Sequence, residues 1–296
     1  MSLVIADVLV RHDPVGHRAP VLLDSPHSGL HYPSDFDFIC PLAALREAED
    51  AHVDELFATA PDHGATLLAA LFPRSYIDLN RAIDDIDPGM LDGRWPEPLR
   101  PSDKSALGMG LVRTVCKPGM PIYDGRLPVV QVMERIDRYY RPYHAQVAKL
   151  FDQMSAAFGA VWHIDCHSMP SIRFIRESSG GGWDDSTPEA PDFVLGDRDG
   201  TSCEPGFTAF MALTLRRQGY TVAINQPYKG VELVRRYSNP ALGRHSLQLE
   251  INRRLYMVEE TREKHDGFAR LQTDLTDLVR EVVGYAGERL ARRAAE

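Results

Sequence analysis

AVWHIDCHSMP, residues Ala160 to Pro170, is an apolar run with an ionisable side chain at every second position of its middle. Successive side chains of an extended chain point to opposite faces, so His163, Asp165 and His167 share one face and Ile164 and Cys166 the other. Ionisable groups on a buried face are costly unless they are paired or bound to a metal. The run therefore reads as a core strand that delivers chemistry to its carboxyl end, where His167 is the best-placed ligand. Asp165 is positioned to orient an imidazole or to accept from backbone amides.

Outward from this strand, VLLDS (Val21–Ser25) reads as a second buried strand, stopped by Pro26. ATLLAALF, SYIDLN, DFVLGD, TVAIN and SLQLEIN read as further strands. Apolar spacing predicts a helix over 41–63 ended by Gly64, one over 129–158 that Pro142 kinks or divides near Arg141, one over 205–218, and a charged amphipathic helix from about Glu259. Strands alternating with helices, with no linker and no internal repeat, predict a single three-layer α/β/α domain with a mixed sheet over residues 1–296. The glycine- and proline-rich region from Ala82 to about Pro128 reads as a flap or active-site wall, and the tract from Ser178 to Pro191 as a loop. Ligands in such sheets gather beyond the carboxyl ends of the strands.

The chain has 296 residues and a formal net charge of −9, long enough to bury a core without disulfides or a structural metal. The acidic balance argues against duplex nucleic acid as a partner, since that affinity comes largely from a basic face. No run approaches the about eighteen apolar residues of a membrane span, and the start, MSLVIADVLVRHDP, makes a poor signal peptide. Cys40, Cys116, Cys166 and Cys203 form no CxxC pair, which fits reduced thiols. These features predict a cytoplasmic protein acting on small molecules.

His27 follows the VLLDS strand in SPHSG, stiffened by Pro26 and released by Gly29, so its imidazole can face a cleft. In SLQLEIN, Glu250 shares a face with Gln248 and Asn252, opposite Leu247, Leu249 and Ile251. A carboxylate emerging from an apolar strand is a good general base, or else the partner of a core arginine. RSYIDLNR brings together Arg74, Asp78, Asn80 and Arg81, a set that can grip a carboxylate or knit the sheet edge. Glu49, Asp50, Asp54 and Glu55 lie on one predicted helix, mostly as a solvated face, with Asp50 and Asp54 one turn apart. Two histidines from separate strand ends plus a carboxylate are what a hydrolytic zinc site needs, with a further glutamate to take the water's proton. HSGLH and HIDCH lack the glutamate of HExxH. A cysteine hydrolase built on Cys166 is disfavoured because alternation turns that thiol away from both histidines.

The blocks LLDSPHSGLHYP, EDAHVDELF, PRSYIDLNR, HIDCHSMP, NQPYKG and LQLEINRRLYM, in this order from about Val21 to Met257, resemble those of the N-formylglutamate amidohydrolase family. The resemblance implies a fold similar to the zinc carboxypeptidases, one Zn2+ per chain, and hydrolysis of N-formyl-L-glutamate to formate and L-glutamate at the end of a histidine-degradation route. Carried over by position, it makes His27 and His167 the histidine ligands, Glu250 the general base, and Asn80 and Arg81 the holders of a substrate carboxylate. Carboxypeptidases place a glutamate three residues after the first histidine, but that position here is Leu30. Asp50 is chosen as third ligand instead, with Asp54 and Glu49 behind it. Arg74 or Arg81 would stabilise the developing oxyanion, and Lys229 and Arg253 are further anchors for the small anionic N-acyl amino acid. Rival readings are a deacylase or peptidase for another N-acyl amino acid, and a non-catalytic protein that binds acidic amino acids.

Overall fold

Residues 2–171 and 190–295 are described by the computed structural model. Eight strands form the main sheet: β1 (Ser2–Ile5), β2 (Leu9–His12), β3 (Val21–Ser25), β4 (Thr66–Ala70), β5 (Val161–Met169), β6 (Phe193–Gly196), β7 (Val222–Ile224) and β8 (Arg244–Asn252). Their spatial order is β1-β2-β4-β3-β5-β8-β6-β7. β5 lies in the middle and pairs in parallel with β3 on one side and β8 on the other, while the β2–β4 and β6–β8 pairs are antiparallel. The sheet is therefore mixed, with a parallel centre that must be covered on both faces.

One cover is built from α2 (Val53–Leu56), α6 (Pro205–Arg217) and α8 (Gly267–Ala295). Trp162, Ile164 and Cys166 of β5 and Leu247, Leu249 and Ile251 of β8 meet the apolar stripes of these helices in one core. The other cover is α4 (Val129–Arg135), α5 (Arg141–Phe158) and α7 (Glu232–Tyr237). Val161, Leu22 and Leu68 meet Tyr143, Val147 and Phe151 there in a second core. The three layers and the period-two reading of β5 are thus present.

His163 of β5, on the α5 side, is satisfied locally. His163 bonds Asp24 Oδ1 at 2.7 Å and Ser246 Oγ at 2.6 Å, and Tyr143 donates to Asp24 Oδ2 at 3.0 Å. All four residues are buried, so each of these bonds removes a desolvation penalty of about 1–3 kcal/mol.

Several sequence expectations are corrected. The helix expected over 41–63 is three short pieces, α1 (Leu42–Arg46), α2 and a 3-10 turn at Ala60–His63, with His52 in the left-handed region at φ 64°. The break has a cause: Asp50 N donates to His27 O at 3.0 Å, which pulls the chain inward between α1 and α2. SYIDLN is not a strand, because Asp78 N donates to Leu111 O at 2.7 Å and ties the segment to the 82–128 region instead of to the sheet. That region contains α3 (Asp103–Ala106) and short ribbons, and Leu111, Val112 and Ile122 bury against α4 and the turn that follows it, so it is a packed wall. The segment 129–158, by contrast, is divided near Arg141 as expected: a wide turn at Ile136–Tyr140 separates α4 from α5, and Pro142 sits in the first turn of α5, where its missing N–H is tolerated. α8 starts at Gly267, after the ribbon Met257–Val258 with Glu263–Lys264. The first strand pair lies in the stretch read only as a poor signal peptide. Of the tract from Ser178 to Pro191, only Ala190 and Pro191 fall within the described residues. Among the described residues no helix is long and apolar enough to cross a membrane.

Gly29 closes the loop after β3 against the end of β4. A Cβ there would lie 2.3 Å from Leu71 C and 2.3 Å from Phe72 N, both backbone atoms that cannot rotate away. Gly284, in the exposed side of α8, has nothing within 4 Å. Gly29→Ala is expected to cost about 1–3 kcal/mol or more through overpacking, and Gly284→Ala to gain about 0.5–1 kcal/mol through helix propensity. Urea unfolding of both variants checks the pair; equal stability of Gly29→Ala and the parent would show that the loop has slack the structure denies it.

Candidate active site

The parallel pairing of β3, β5 and β8 brings three carboxyl ends side by side. His27 leaves the end of β3, His167 lies near the end of β5, and Glu250 is the cross-strand partner of His167 on β8. Asp50 reaches them from the break between α1 and α2. His27 Nδ1 lies 3.1 Å from His167 Nδ1 and 3.3 Å from Asp50 Oδ2, and His167 Nδ1 lies 3.0 Å from the same oxygen. All three residues are buried, and they form a group able to hold a metal ion. A tetrahedral ion with ligand bonds of about 2.0–2.1 Å has ligand–ligand edges of about 3.3 Å, so the three atoms fit one face of such a site.

The other ends of these side chains are fixed. His27 Nε2 donates to Asp78 Oδ1 at 2.9 Å, and His167 Nε2 lies 2.8 Å from Asp165 Oδ1. A carboxylate behind each imidazole aims Nδ1 at the site and raises its basicity as a ligand. Asp50 Oδ1 accepts from Ser168 Oγ at 3.1 Å and from Arg253 Nη2 at 3.4 Å, which leaves Oδ2 for an ion.

The remaining candidates divide. Glu49 accepts from Tyr32 and Arg46, and the backbone of Asp54 donates to Ser28 Oγ; neither residue joins the group, so of the three carboxylates weighed as third ligand only Asp50 does. Arg74 donates from Nε at 3.1 Å and Nη2 at 2.8 Å to Asp78 Oδ2, so it is the structural partner of a carboxylate as well as a neighbour of the site. Asn80, assigned to substrate, is committed elsewhere: its Oδ1 accepts from Leu233 N at 2.9 Å and its Nδ2 lies 3.1 Å from His167 Nε2, on the side away from Nδ1. Arg81 donates to the carbonyls of Met109 and Asn80. Arg253 is used by Ser168 and by the carbonyls of Glu47 and Glu49, so it braces the Asp50 loop. Lys229 is exposed and pairs with Asp199 at 2.9 Å, so it does not converge on the group. The Cys166 thiol packs in the core on the opposite face.

Three contributors escaped the sequence. Asp78 reads in the sequence as a partner of Arg74, whereas in the structure it also orients His27. Arg113, from the wall, and Tyr228, from NQPYKG, also stand in the field of the site: Asp50 and Asp78 act on Arg113, and Glu250 and Asp50 act on Tyr228. A charged residue inside the apolar run YIDL is a signal for Asp78. Nothing in the spacing around Arg113 provides one.

Electrostatics follow from burial and charge. Burial pushes the Glu250 carboxyl up to about 8, with Asp50 and Asp165 adding to this and His167 and Arg74 opposing it. Burial alone would lower His167, but Asp165, Asp50 and Glu250 hold it well above the usual imidazole range. Burial likewise would raise Asp50, yet hydrogen bonds from His167 and His27 hold it well below the usual carboxylate range. Without a metal, these shifts favour the protonated forms of His167 and Glu250.

Fold and site together define an α/β enzyme whose reactive groups stand at the carboxyl edge of a mixed sheet. The sequence model of the N-formylglutamate amidohydrolase family matches residues 19–257, and the chain belongs to that family, whose members are hydrolases of a linear amide. It is 29% identical over 282 residues to the N-formylglutamate deformylase of Pseudomonas putida, with 93% of this chain and 96% of the relative covered. It is 30% identical over 271 residues to the protein of that name from Pseudomonas aeruginosa, covering 90% of each. The crystal structure of N-formylglutamate amidohydrolase from Ralstonia eutropha JMP134 superimposes with a TM-score of 0.90 at 48% identity, covering 95% of this chain and 99% of that one.

Two outcomes are expected. Loading the metal-free protein with Zn2+ at pH 7 should release protons, because the ion must displace the one on His167; calorimetry in buffers of different ionisation enthalpy measures this, and heats independent of buffer would contradict the arrangement. In the metal-free protein, Glu250 has a folded pKa above its unfolded value of about 4.3, so its contribution to stability is full below that value and is lost as pH rises through about 8. Glu250→Gln removes that loss, so its advantage in thermal midpoint over the parent should grow from pH 5 to pH 9. A gap that stays constant would contradict the raised pKa.

Proposed function

We propose that this protein is a zinc-dependent deformylase that hydrolyses N-formyl-L-glutamate to formate and L-glutamate. The observation that supports it most is the convergence of His27 Nδ1, His167 Nδ1 and Asp50 Oδ2, each imidazole backed by a carboxylate, beside a buried Glu250. His27, Asp50 and His167 would hold the ion. The chemistry it supplies when bound is Lewis acidity, which acidifies water and polarises an amide carbonyl.

The chain's own groups carry the proton. Glu250 accepts it from the attacking water and returns it to the amine nitrogen as the carbon–nitrogen bond breaks. Gln248 Nε2 donates to Glu250 Oε1 at 2.7 Å and so fixes the carboxyl's orientation. Arg74 lies close enough to influence Glu250 and contributes positive potential where the oxyanion develops. The substrate is a small dianion, in keeping with a site flanked by guanidinium groups. Formate and glutamate as products suit the end of a histidine-degradation route in the cytoplasm.

Elemental analysis of protein purified without chelator should find near one zinc per chain, with N-formyl-L-glutamate turnover that chelation abolishes and zinc restores. Glu250→Gln should keep the metal and lose kcat by about 10²–10⁴-fold. Full activity in that variant would remove the proposed base, and zinc without turnover of this substrate would move the reading to another N-acyl amino acid.

A further inference from the structure

Three guanidinium groups surround Asp78, and two of them are spent. Arg74 is bonded twice to Asp78 Oδ2, and Arg81 is bonded to the carbonyls of Met109 and Asn80. Arg113 is different. Its side chain is 12% exposed, its Nε is buried with no hydrogen-bond partner among the described residues, and its nearest carboxylate oxygen, Asp78 Oδ2, is 3.9 Å away. Asp78 has no capacity left to offer: Oδ1 already accepts from His27 Nε2 and Asn80 N, and Oδ2 from both Arg74 nitrogens.

A cation held this way is destabilising in the free protein. Burial, with Arg74 and Arg81 adding like charge, lowers the Arg113 guanidinium to about 9 although Asp78 and Asp50 oppose the shift. The backbone fixes its position, because Arg113 sits on a bridge with Met109 and Asp78 N is tied to Leu111 O two residues before it. The same carboxylate that Arg113 approaches orients His27, so the guanidinium stands one side chain away from the group of His27, Asp50 and His167. We infer that Arg113 is a substrate-binding residue whose guanidinium takes a carboxylate of the anionic substrate. Identifying that acid as an N-acyl glutamate rests on the deformylase reading; the match of Arg113 to a carboxylate does not.

The test therefore includes measurements without turnover. Calorimetric binding of L-glutamate and of L-glutamine to the metal-free protein is compared between the parent, Arg113→Met and Arg113→Lys, with thermal midpoints of all three. Loss of a charge-assisted pair is expected to weaken L-glutamate binding about ten- to a hundred-fold in Arg113→Met, with partial recovery in Arg113→Lys, and to raise KM for N-formyl-L-glutamate more than it lowers kcat. Because the Arg113 side chain makes no hydrogen bond among the described residues and stands 3.9 Å from its nearest carboxylate oxygen, the thermal midpoint of Arg113→Met should equal or exceed the parent's. A loss confined to L-glutamate assigns the side-chain carboxylate, and an equal loss for L-glutamine the α-carboxylate. Unchanged affinity, no binding by the parent, or a clear fall in the midpoint of Arg113→Met would overturn the inference. Retained glutamate binding without hydrolysis of N-formyl-L-glutamate would instead sink the deformylase reading and leave Arg113 in its role.

Discussion

In-register parallel pairing of β5 with β3 and β8 holds everything else in position. It aligns Leu22 with His163 and Asp24 with Asp165 on one side, and Gln248 with Asp165 and Glu250 with His167 on the other. A slip by one residue would turn the apolar side chains Trp162, Ile164 and Cys166 toward α5 and the ionisable ones into the opposite core, so the hydrophobic pattern alone specifies the register strongly. The polar face then changes character along its length. At the level of His163, Asp24 and Ser246 the groups satisfy one another within the sheet and α5. At the carboxyl end, two imidazole nitrogens and a carboxylate oxygen converge on one point with their other atoms already committed.

That graded face explains what the sequence disclosed. Period-two alternation separates His167 from Cys166 and Glu250 from Leu249, and it needs no tertiary information. Asp50 was harder, because helical spacing gathers Glu49, Asp50, Asp54 and Glu55 on one predicted surface. Its distinction arises where the helix breaks at His52, and the break depends on a backbone bond to His27 from a segment 23 residues away. β1 and β2 carry little periodic signal for a related reason: they are four-residue strands, partly exposed, and only β1 is at the sheet edge. Asn80, Lys229 and Arg253 show the converse. Their residue types suit carboxylate binding, but type does not reveal that Leu233, Asp199 and the Asp50 loop already hold them.

Burying this many charges is not a source of stability. A pair such as Asp78 with Arg74 recovers in the interior roughly what both ions lose on leaving water. What the pair supplies is fixity, since Asp78 cannot turn away from His27 while Arg74 grips its second oxygen. Ser168 and Arg253 do the same for Asp50. The wall of residues 82–128 shares in this through Leu111, whose carbonyl positions the segment that carries Asp78. A region with little regular structure thus helps to orient a residue beside the site.

Glu250 shows why such fixity has to be combined with burial. An exposed glutamate, with a pKa near 4.3, would be a weak base at neutral pH, whereas one raised by burial holds a proton more firmly, as the proposed transfer from water to an amine would require. Burial favours the protonated form. His167 and Arg74 lean the other way, and a divalent ion held by His27, Asp50 and His167 would add to them, drawing the pKa down toward the operating range. On the proposed reading, the positive charge of Arg74 that opposes the shift of Glu250 would also favour an anionic substrate, so the proton chemistry and the choice of substrate would share one electrostatic origin.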